Sequence, residues 1–360
     1  MGISDSQLKD LIASTLEDLP KQELEVMWTN NDYEFCRIYQ QDRMVIDGGT
    51  SIVRKVMLDH SGAAHYRRMY DTDTPGVSNV IKTITVPWTQ LSTDYSWDKL
   101  EILRNRNSVK GFLSLMKVRR TDGLWSLADL IEERAWLTPT SATDDLYPYG
   151  VPYYLNMADS GETTGGFVGH TIRYQDATTG TICAGIDAST EAKWRNYADV
   201  YVNVNNDLLR KMRTACMVTK FKPPSFINSP GNDALGKRRM YAGLTVNVAL
   251  QDLASKNDDA STPKEMAGKI LADTGGVVMF NRIPVQYITQ LDDASYAPIY
   301  CIDFSKFIPY VQDGFWMEEG EPMIEKSQHT TATVFLDGSH NNLCTNRKTA
   351  GFVLHTVTAA

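Results

Sequence analysis

The run Gly231 to Lys237 (GNDALGK) has the spacing of a phosphate-binding loop, and it is the strongest chemical signal in the chain. Such a loop needs a Ser or Thr hydroxyl after its lysine to hold magnesium, but Arg238 stands there. The residues before it, through Ile227, Ser229 and Pro230, do not form the buried strand that would aim the loop. The segment reads as a basic surface turn. Gly165, Gly166 and Gly169 match part of a dinucleotide fingerprint, yet Thr171, Ile172, Arg173 and Tyr174 follow with a strand pattern. A pyrophosphate needs the N-terminus of a helix at that point, so Gly161 to Gly169 reads as a flexible loop. The six histidines, His60, His65, His170, His329, His340 and His355, include no pair at i, i+4 and no metal-binding spacing. No Gly-x-Ser-x-Gly nucleophile elbow occurs. The chemistry-bearing residue types point to no catalytic, cofactor or metal site, and a non-enzymatic chain is expected.

Composition agrees with a folded, non-membrane class. Of 360 residues, 42% are hydrophobic and 22% charged, with a net charge of −8, which excludes disorder and a bulk nucleic-acid binder. No apolar run approaches the length of a membrane span, and the start of the chain lacks a secretory pattern. Cys36, Cys183, Cys216, Cys301 and Cys344 are widely spaced and odd in number, and they read as reduced, buried small hydrophobes.

The elements come next. Leu8, Leu11, Ile12, Leu16 and Leu19 share one stripe of a helix from Ser4 to Leu19, stopped by Pro20. Residues 1–50 carry ten acidic against four basic residues, the pattern of an acidic arm lying along another surface. A long helix is expected from Ser96 to about Trp136, with a kink at Asp122 and Gly123. From Ile102 to Thr121 it holds six basic residues and no acid, a phosphate-contacting or salt-bridging face. Further helices are expected near Ser189 and from Asn206, where Leu208, Leu209, Met212, Cys216 and Met217 share an inner face. Strands are expected at Leu244 to Val248, Val277 to Phe280, Pro284 to Ile288, Ile299 to Phe304, Thr331 to Leu336 and Gly351 to Thr358, with a turn at Asp337 and Gly338.

The stretch Ala63 to Trp88 reads as a two-stranded ribbon with its tip at Asp71 to Asn79. Its returning strand alternates, with Val80, Ile84, Val86 and Trp88 on one face and Ile81, Thr83, Thr85 and Thr89 on the other. An isolated hairpin is marginal in water, so this ribbon needs a surface to lie on. That surface is expected to belong to another copy of the chain.

Several short runs, taken in order, carry a resemblance. They are TVPW from Thr85 to Trp88, DYSWD from Asp94 to Asp98 with Glu101, YGVPYY from Tyr149 to Tyr154, and GGFVG from Gly165 to Gly169. KWRN from Lys193 to Asn196, PIYCID from Pro298 to Asp303, and LCTNR from Leu343 to Arg347 running on to Phe352 complete the set. The chain resembles the major capsid proteins of tailed bacteriophages, which have the Hong Kong 97-type fold.

The resemblance implies an α+β capsid fold. Residues 1–50 would be the N-terminal arm, 51–95 the extended β-hairpin loop, and 96–145 the spine helix of a peripheral domain. Residues 146–330 would supply the axial domain with interleaved peripheral segments, and 331–360 the closing peripheral strands. It implies a subunit that self-assembles into hexamers and pentamers of an icosahedral virion shell, built in the host bacterial cytoplasm around double-stranded DNA held non-specifically on the inner face. A portal and a separate scaffolding protein are the expected partners, because the arm is too short for a cleaved scaffolding segment. Arg67, Arg68, Lys82, Val80, Ile84 and Trp88 are the expected intersubunit contacts, with Arg67 and Arg68 pairing with acids of an adjacent subunit. Some family members crosslink a ribbon lysine to an asparagine, but no acceptor motif here matches Lys82. Two alternatives stand beside this reading: an encapsulin-like shell that packages cargo protein, and an oligomeric enzyme using Gly231 to Lys237.

Overall fold

The computed structural model describes residues 33–70, 72, 76, 80–104, 109–160, 165–220, 237–259, 271–274, 277–324 and 330–356. The expected helix at Ser4 to Leu19 and residues 231–236 of the glycine run lie outside them. Along the chain come α1 (Glu34–Gln41), β1 (Met44–Ile46), β2 (Ser51–Met57), β3 (Ile81–Pro87), β4 (Thr89–Asp98), α2 (Lys99–Arg104) and α3 (Val109–Ala135). A central portion holds α4 (Val151–Tyr154), β5 (Gly166–Gly169), β6 (Ile172–Arg173), β7 (Thr179–Gly180), β8 (Ile182–Cys183), β9 (Ile186–Asp187), β10 (Asn196–Tyr201) and α5 (Asn206–Val218). After these follow β11 (Arg238–Ala242), α6 (Leu244–Asp259), β12 (Leu271–Thr274), β13 (Val277–Phe280), β14 (Ile283–Tyr287) and β15 (Ile299–Asp303). The chain closes with β16 (Phe307–Glu319), β17 (Met323–Ile324), β18 (Thr331–Cys344), α7 (Arg347–Ala350) and β19 (Gly351–Thr356).

Two sheets organise the molecule. One has five strands in the order β1-β16-β18-β17, with β4 also paired to β18. The other has eight, in the order β12-β13-β14-β11-β15-β19-β10-β5, with the β11/β14 and β10/β19 pairs parallel. The five-stranded sheet lies against α3, whose 27 residues reach about 40 Å at 1.5 Å per residue. Tyr95 and Trp97 of β4 and Val334 of β18 pack there on Met116. One face of the eight-stranded sheet is covered by α5 and α6, through Leu208, Met212, Val246 and Leu250 against Met240, Cys301 and Phe352. The largest core lies where the two sheets meet, and it gathers Phe35, Trp136, Tyr241, Tyr300, Phe307 and Leu343 from both.

Charged groups are buried at this junction too. Phe35 N and Trp136 Nε1 donate to the Glu132 carboxylate at 2.7 and 2.8 Å, while Arg239 and Tyr241 of β11 bond Glu34. Burial pushes the Glu132 carboxyl up to about 7. The end of the expected arm is thus built into the chain's own core, with Phe35, Ile38 and Tyr39 at i, i+3 and i+4 all buried.

Several expectations are corrected, each for a definable reason. The outgoing ribbon strand is β2, at Ser51–Met57, and no strand forms over Ala63 to Tyr70. The long helix begins after β4, because residues 89–98 are held as a strand by ten-residue pairing with β18. It runs unbroken through Asp122 and Gly123, where the buried glycine sits against the backbone of β4. Leu244 to Val248 is helical rather than extended: Asp292 Oδ1 accepts from Leu244 N at 2.6 Å and starts α6 from 48 residues away. The helix expected at Ser189 is absent apart from a short 3-10 turn at Ala192–Trp194, since Asp187 captures both Ser189 N and its hydroxyl in a turn of its own. In α5, capped by Asn205, the expected inner face is buried except for Met217, which points outward. Asp337 and Gly338 lie inside the continuous strand β18, opposite Glu318 and Trp316, and no turn forms there. The closing strands diverge, β18 entering the five-stranded sheet and β19 the eight-stranded one.

Candidate functional site

β2 and β3 form a two-stranded ribbon whose two faces differ. In the β2/β3 register Ile52 opposes Val86 and Arg54 opposes Ile84, while Val53 opposes Thr85 and Met57 opposes Ile81. Ile52, Ile84 and Val86 are 2%, 0% and 0% exposed, packed in the chain's own central core with Ala184 and Ile186 of the β8/β9 hairpin. Thr85 N donates to Ala184 O at 3.1 Å, Arg54 Nη1 to Tyr310 Oη at 2.8 Å, and Trp88 Nε1 to Gly49 O at 3.0 Å. These bonds moor the ribbon's root to its own subunit, so the expectation of a ribbon with no core of its own is corrected for this inner face.

The opposite face is a different matter. Val53, Met57 and Ile81 are 57%, 66% and 52% exposed, with the side chains of Lys55, Thr83 and Thr85 among them. Beyond the paired strands, residues 59–70 are exposed throughout and include Tyr66, Met69 and Tyr70. A row of apolar side chains on a projecting two-stranded element has the character of a docking surface.

The residues expected at intersubunit contacts separate accordingly. Arg67 and Arg68 are exposed on the projecting loop. Val80 and Trp88 are half-buried, whereas Ile84 has no surface left to offer a neighbour. Lys82 is exposed but pairs with Glu191 of its own chain at 2.9 Å. Two residues of the basic stretch in the long helix are likewise engaged internally. Arg119 bonds Glu101 at 2.7 Å, and Arg120 forms a two-pronged pair with Glu319 at 3.0 Å. Lys237, the lysine of the glycine run, reaches Asp42 at 3.3 Å.

A second feature is one that sequence reasoning missed. Arg347, at the start of α7, is fully buried, and its guanidinium donates from Nε to Tyr154 O at 2.7 Å and from Nη1 to Trp194 O at 3.0 Å. From Nη2 it donates to Gly169 O at 3.4 Å and Asn196 Oδ1 at 2.9 Å. Those partners belong to the short runs YGVPYY, GGFVG and KWRN, and Arg347 itself ends LCTNR. One planar cation therefore gathers four sequence motifs that look unrelated when read singly. The glycines of GGFVG serve that packing: a Cβ on Gly169 would stand 2.3 Å from Asn196 Oδ1. Gly166 to Gly169 form strand β5 beside β10, which corrects the expected flexible loop over those residues, while residues 161–164 lie outside the described ones.

Among the described residues no cluster of three His, Cys, Asp or Glu side chains is placed to hold a metal. All five cysteines are free, four buried and Cys36 partly so. Burial holds the Cys183 thiol up at about 11 and that of Cys344 up at about 12, which keeps both protonated beside Arg347. No helix of the described residues is long and apolar enough to cross a membrane.

No protein-family model and no curated protein sequence matches the chain. Solved structures do. The capsid asymmetric unit of cyanophage A-1(L) aligns with a TM-score of 0.60 at 14% identity, over 95% of this chain and 98% of the other. The capsid of the Myoviridae phage XM1 aligns at 0.50 and 12% identity, over 96% and 98%. The capsid of a native GTA particle aligns at 0.50 and 12% identity, over 94% and 95%. At such identities only architecture is being compared. Because each alignment spans nearly the whole of both chains, the likeness is one of complete topology rather than of a shared motif, and this chain has the Hong Kong 97-type capsid fold.

Proposed function

We propose that the chain is the major capsid protein of a tailed bacteriophage, self-assembling into hexamers and pentamers of an icosahedral shell around double-stranded DNA. The observation that carries this reading is the outward face of the ribbon, whose Val53, Met57 and Ile81 are left uncovered while its inner face is moored. Leaving that face in water forgoes roughly 25 cal/mol for each Å² a neighbour would bury. In a shell of identical subunits the neighbour is another copy. Arg67 and Arg68, exposed on the same projection, are assigned to acidic side chains of that copy, which suits a chain of net charge −8. Val80 and Trp88 would complete the contact. Lys82 and Ile84 contribute by fixing the ribbon's root to its own subunit.

In the same reading the five-stranded sheet with α3 is the peripheral domain and the eight-stranded sheet with α5 and α6 the axial domain. A separate scaffolding protein and a portal complete the assembly in the host cytoplasm. Size-exclusion chromatography and electron microscopy of the purified protein, with and without the scaffolding protein, test the proposal. Capsomers or closed shells are expected. A monomer that persists across salt concentrations and with scaffold present would refute it.

A further inference from the structure

We propose that a cleft at the root of the ribbon receives a carboxylate from a second copy of the chain, an inference that rests on the shell reading above. The cleft, of about 510 Å³, lies between Met57, Asp59 and His60 on the ribbon side, Lys193 on the 3-10 turn, and Asn346 and Lys348 at α7. Three segments far apart in sequence build it, and two of its walls carry an ammonium group.

The charges inside do not balance. Lys193 Nζ stands 3.8 Å from Asp59 Oδ1, at the outer limit of an ion pair, and among the described residues Asp59 is the single carboxylate lining the cleft with two lysines. Among the described residues Lys348 has no carboxylate within ion-pair distance; its ammonium lies 4.5 Å over the ring of Phe167. Burial and the charge of Lys193 both depress the Lys348 pKa, and Asp59 offsets them only in part. An added anion between the two lysines would relieve that repulsion, and the amide of Asn346 stands on the same wall to orient it.

A second copy is the fitting source. Met57 lines the cleft and also belongs to the uncovered face of the ribbon, so whatever covers the ribbon abuts the cleft. The chain carries 44 acidic against 36 basic residues, which gives a neighbouring copy the complementary sign.

Shells assembled from equal parts of ¹⁵N-labelled and unlabelled subunits, treated with a water-soluble carbodiimide and read by mass spectrometry, test this. Lys193 or Lys348 should appear joined to an Asp or Glu peptide of the opposite label in shells, and not in unassembled subunits. The double variant Lys193→Glu/Lys348→Glu should lower shell yield at least tenfold at low salt, with the urea midpoint of the unassembled subunit unchanged. Wild-type shells showing same-label links to Asp59 alone, or charge-reversed subunits assembling at the wild-type yield, would overturn the inference while leaving the shell reading intact. A wild-type chain that forms no shell at all would remove both.

Discussion

Replacing Arg347 by methionine should remove a large part of the subunit's stability. The side chain is 0% exposed, and its fork serves three backbone carbonyls and one amide oxygen in three chain segments, tying them to its own. Methionine keeps the unbranched stem and removes every donor. Each carbonyl left buried without a partner costs about 1–3 kcal/mol, and relaxation of the surroundings recovers part of that sum. Several acceptors lose their donor at once, so with partial relaxation a loss of about 3–5 kcal/mol is expected, against a net stability of about 5–15 kcal/mol for a folded domain. Arg347→Lys should fall between, because a single ammonium cannot face Tyr154 O and Trp194 O together in the geometry of a planar fork. Urea unfolding of unassembled subunits, followed by far-UV circular dichroism, measures the loss. Arg210→Met, at an exposed position of α5 where the guanidinium pairs with Asp207, is the control and should change stability by no more than about 0.5 kcal/mol. An Arg347→Met variant within about 1 kcal/mol of wild type would show that the four segments hold one another without the guanidinium, and the argument for a node would fail.

Three further outcomes are expected. His340, buried between Tyr39 and Trp316, is driven down to about 4 by burial from an ordinary 6.5, so the unfolded chain takes up its proton first and stability rises with pH between those values. At roughly 1.4 kcal/mol per pH unit, the stability difference between wild type and His340→Phe should grow by about 3 kcal/mol from pH 4 to pH 7; a pH-independent difference refutes it. Gly351→Ala would place a Cβ 1.8 Å from Cys301 O, inside the β15/β19 pairing, and should cost about 3 kcal/mol or more, read as lost soluble yield or a lowered melting temperature. Ile81→Asp, on the outward face of the ribbon, should leave the unfolding free energy of the isolated subunit within about 0.5 kcal/mol of wild type while abolishing shells, and normal shells from it would show that this face is not buried in assembly.

Elements that carry their own signals were legible in the sequence. Alternation at Ile84 and Val86 marked the returning ribbon strand, the apolar spacing of Leu208, Leu209 and Met212 marked α5, and the apolar run Ile299–Asp303 marked a strand buried on both faces. Elements defined by a distant partner were not. The helix α6 takes its first hydrogen bond from Asp292, β4 is a strand because β18 lies beside it, and β18 passes straight through an Asp-Gly pair that would turn a free chain. Ser51–Met57 was missed as the ribbon's outgoing strand because Arg54 and Lys55 interrupt its alternation, and pairing with β3 overrides that local signal.

By itself the sequence determined the lack of a local catalytic motif and a ribbon whose apolar residues need cover, while the fold class followed only from the resemblance carried by its short runs. It could do so because periodicity, caps and motif spacing act over a few residues. Only the tertiary structure decided which face of the ribbon its own chain covers, that Lys82 and the basic residues Arg119 and Arg120 are paired internally, and that Arg347 joins four scattered motifs. Those outcomes depend on which distant groups meet in space, and a buried guanidinium collects its acceptors from wherever the fold delivers them.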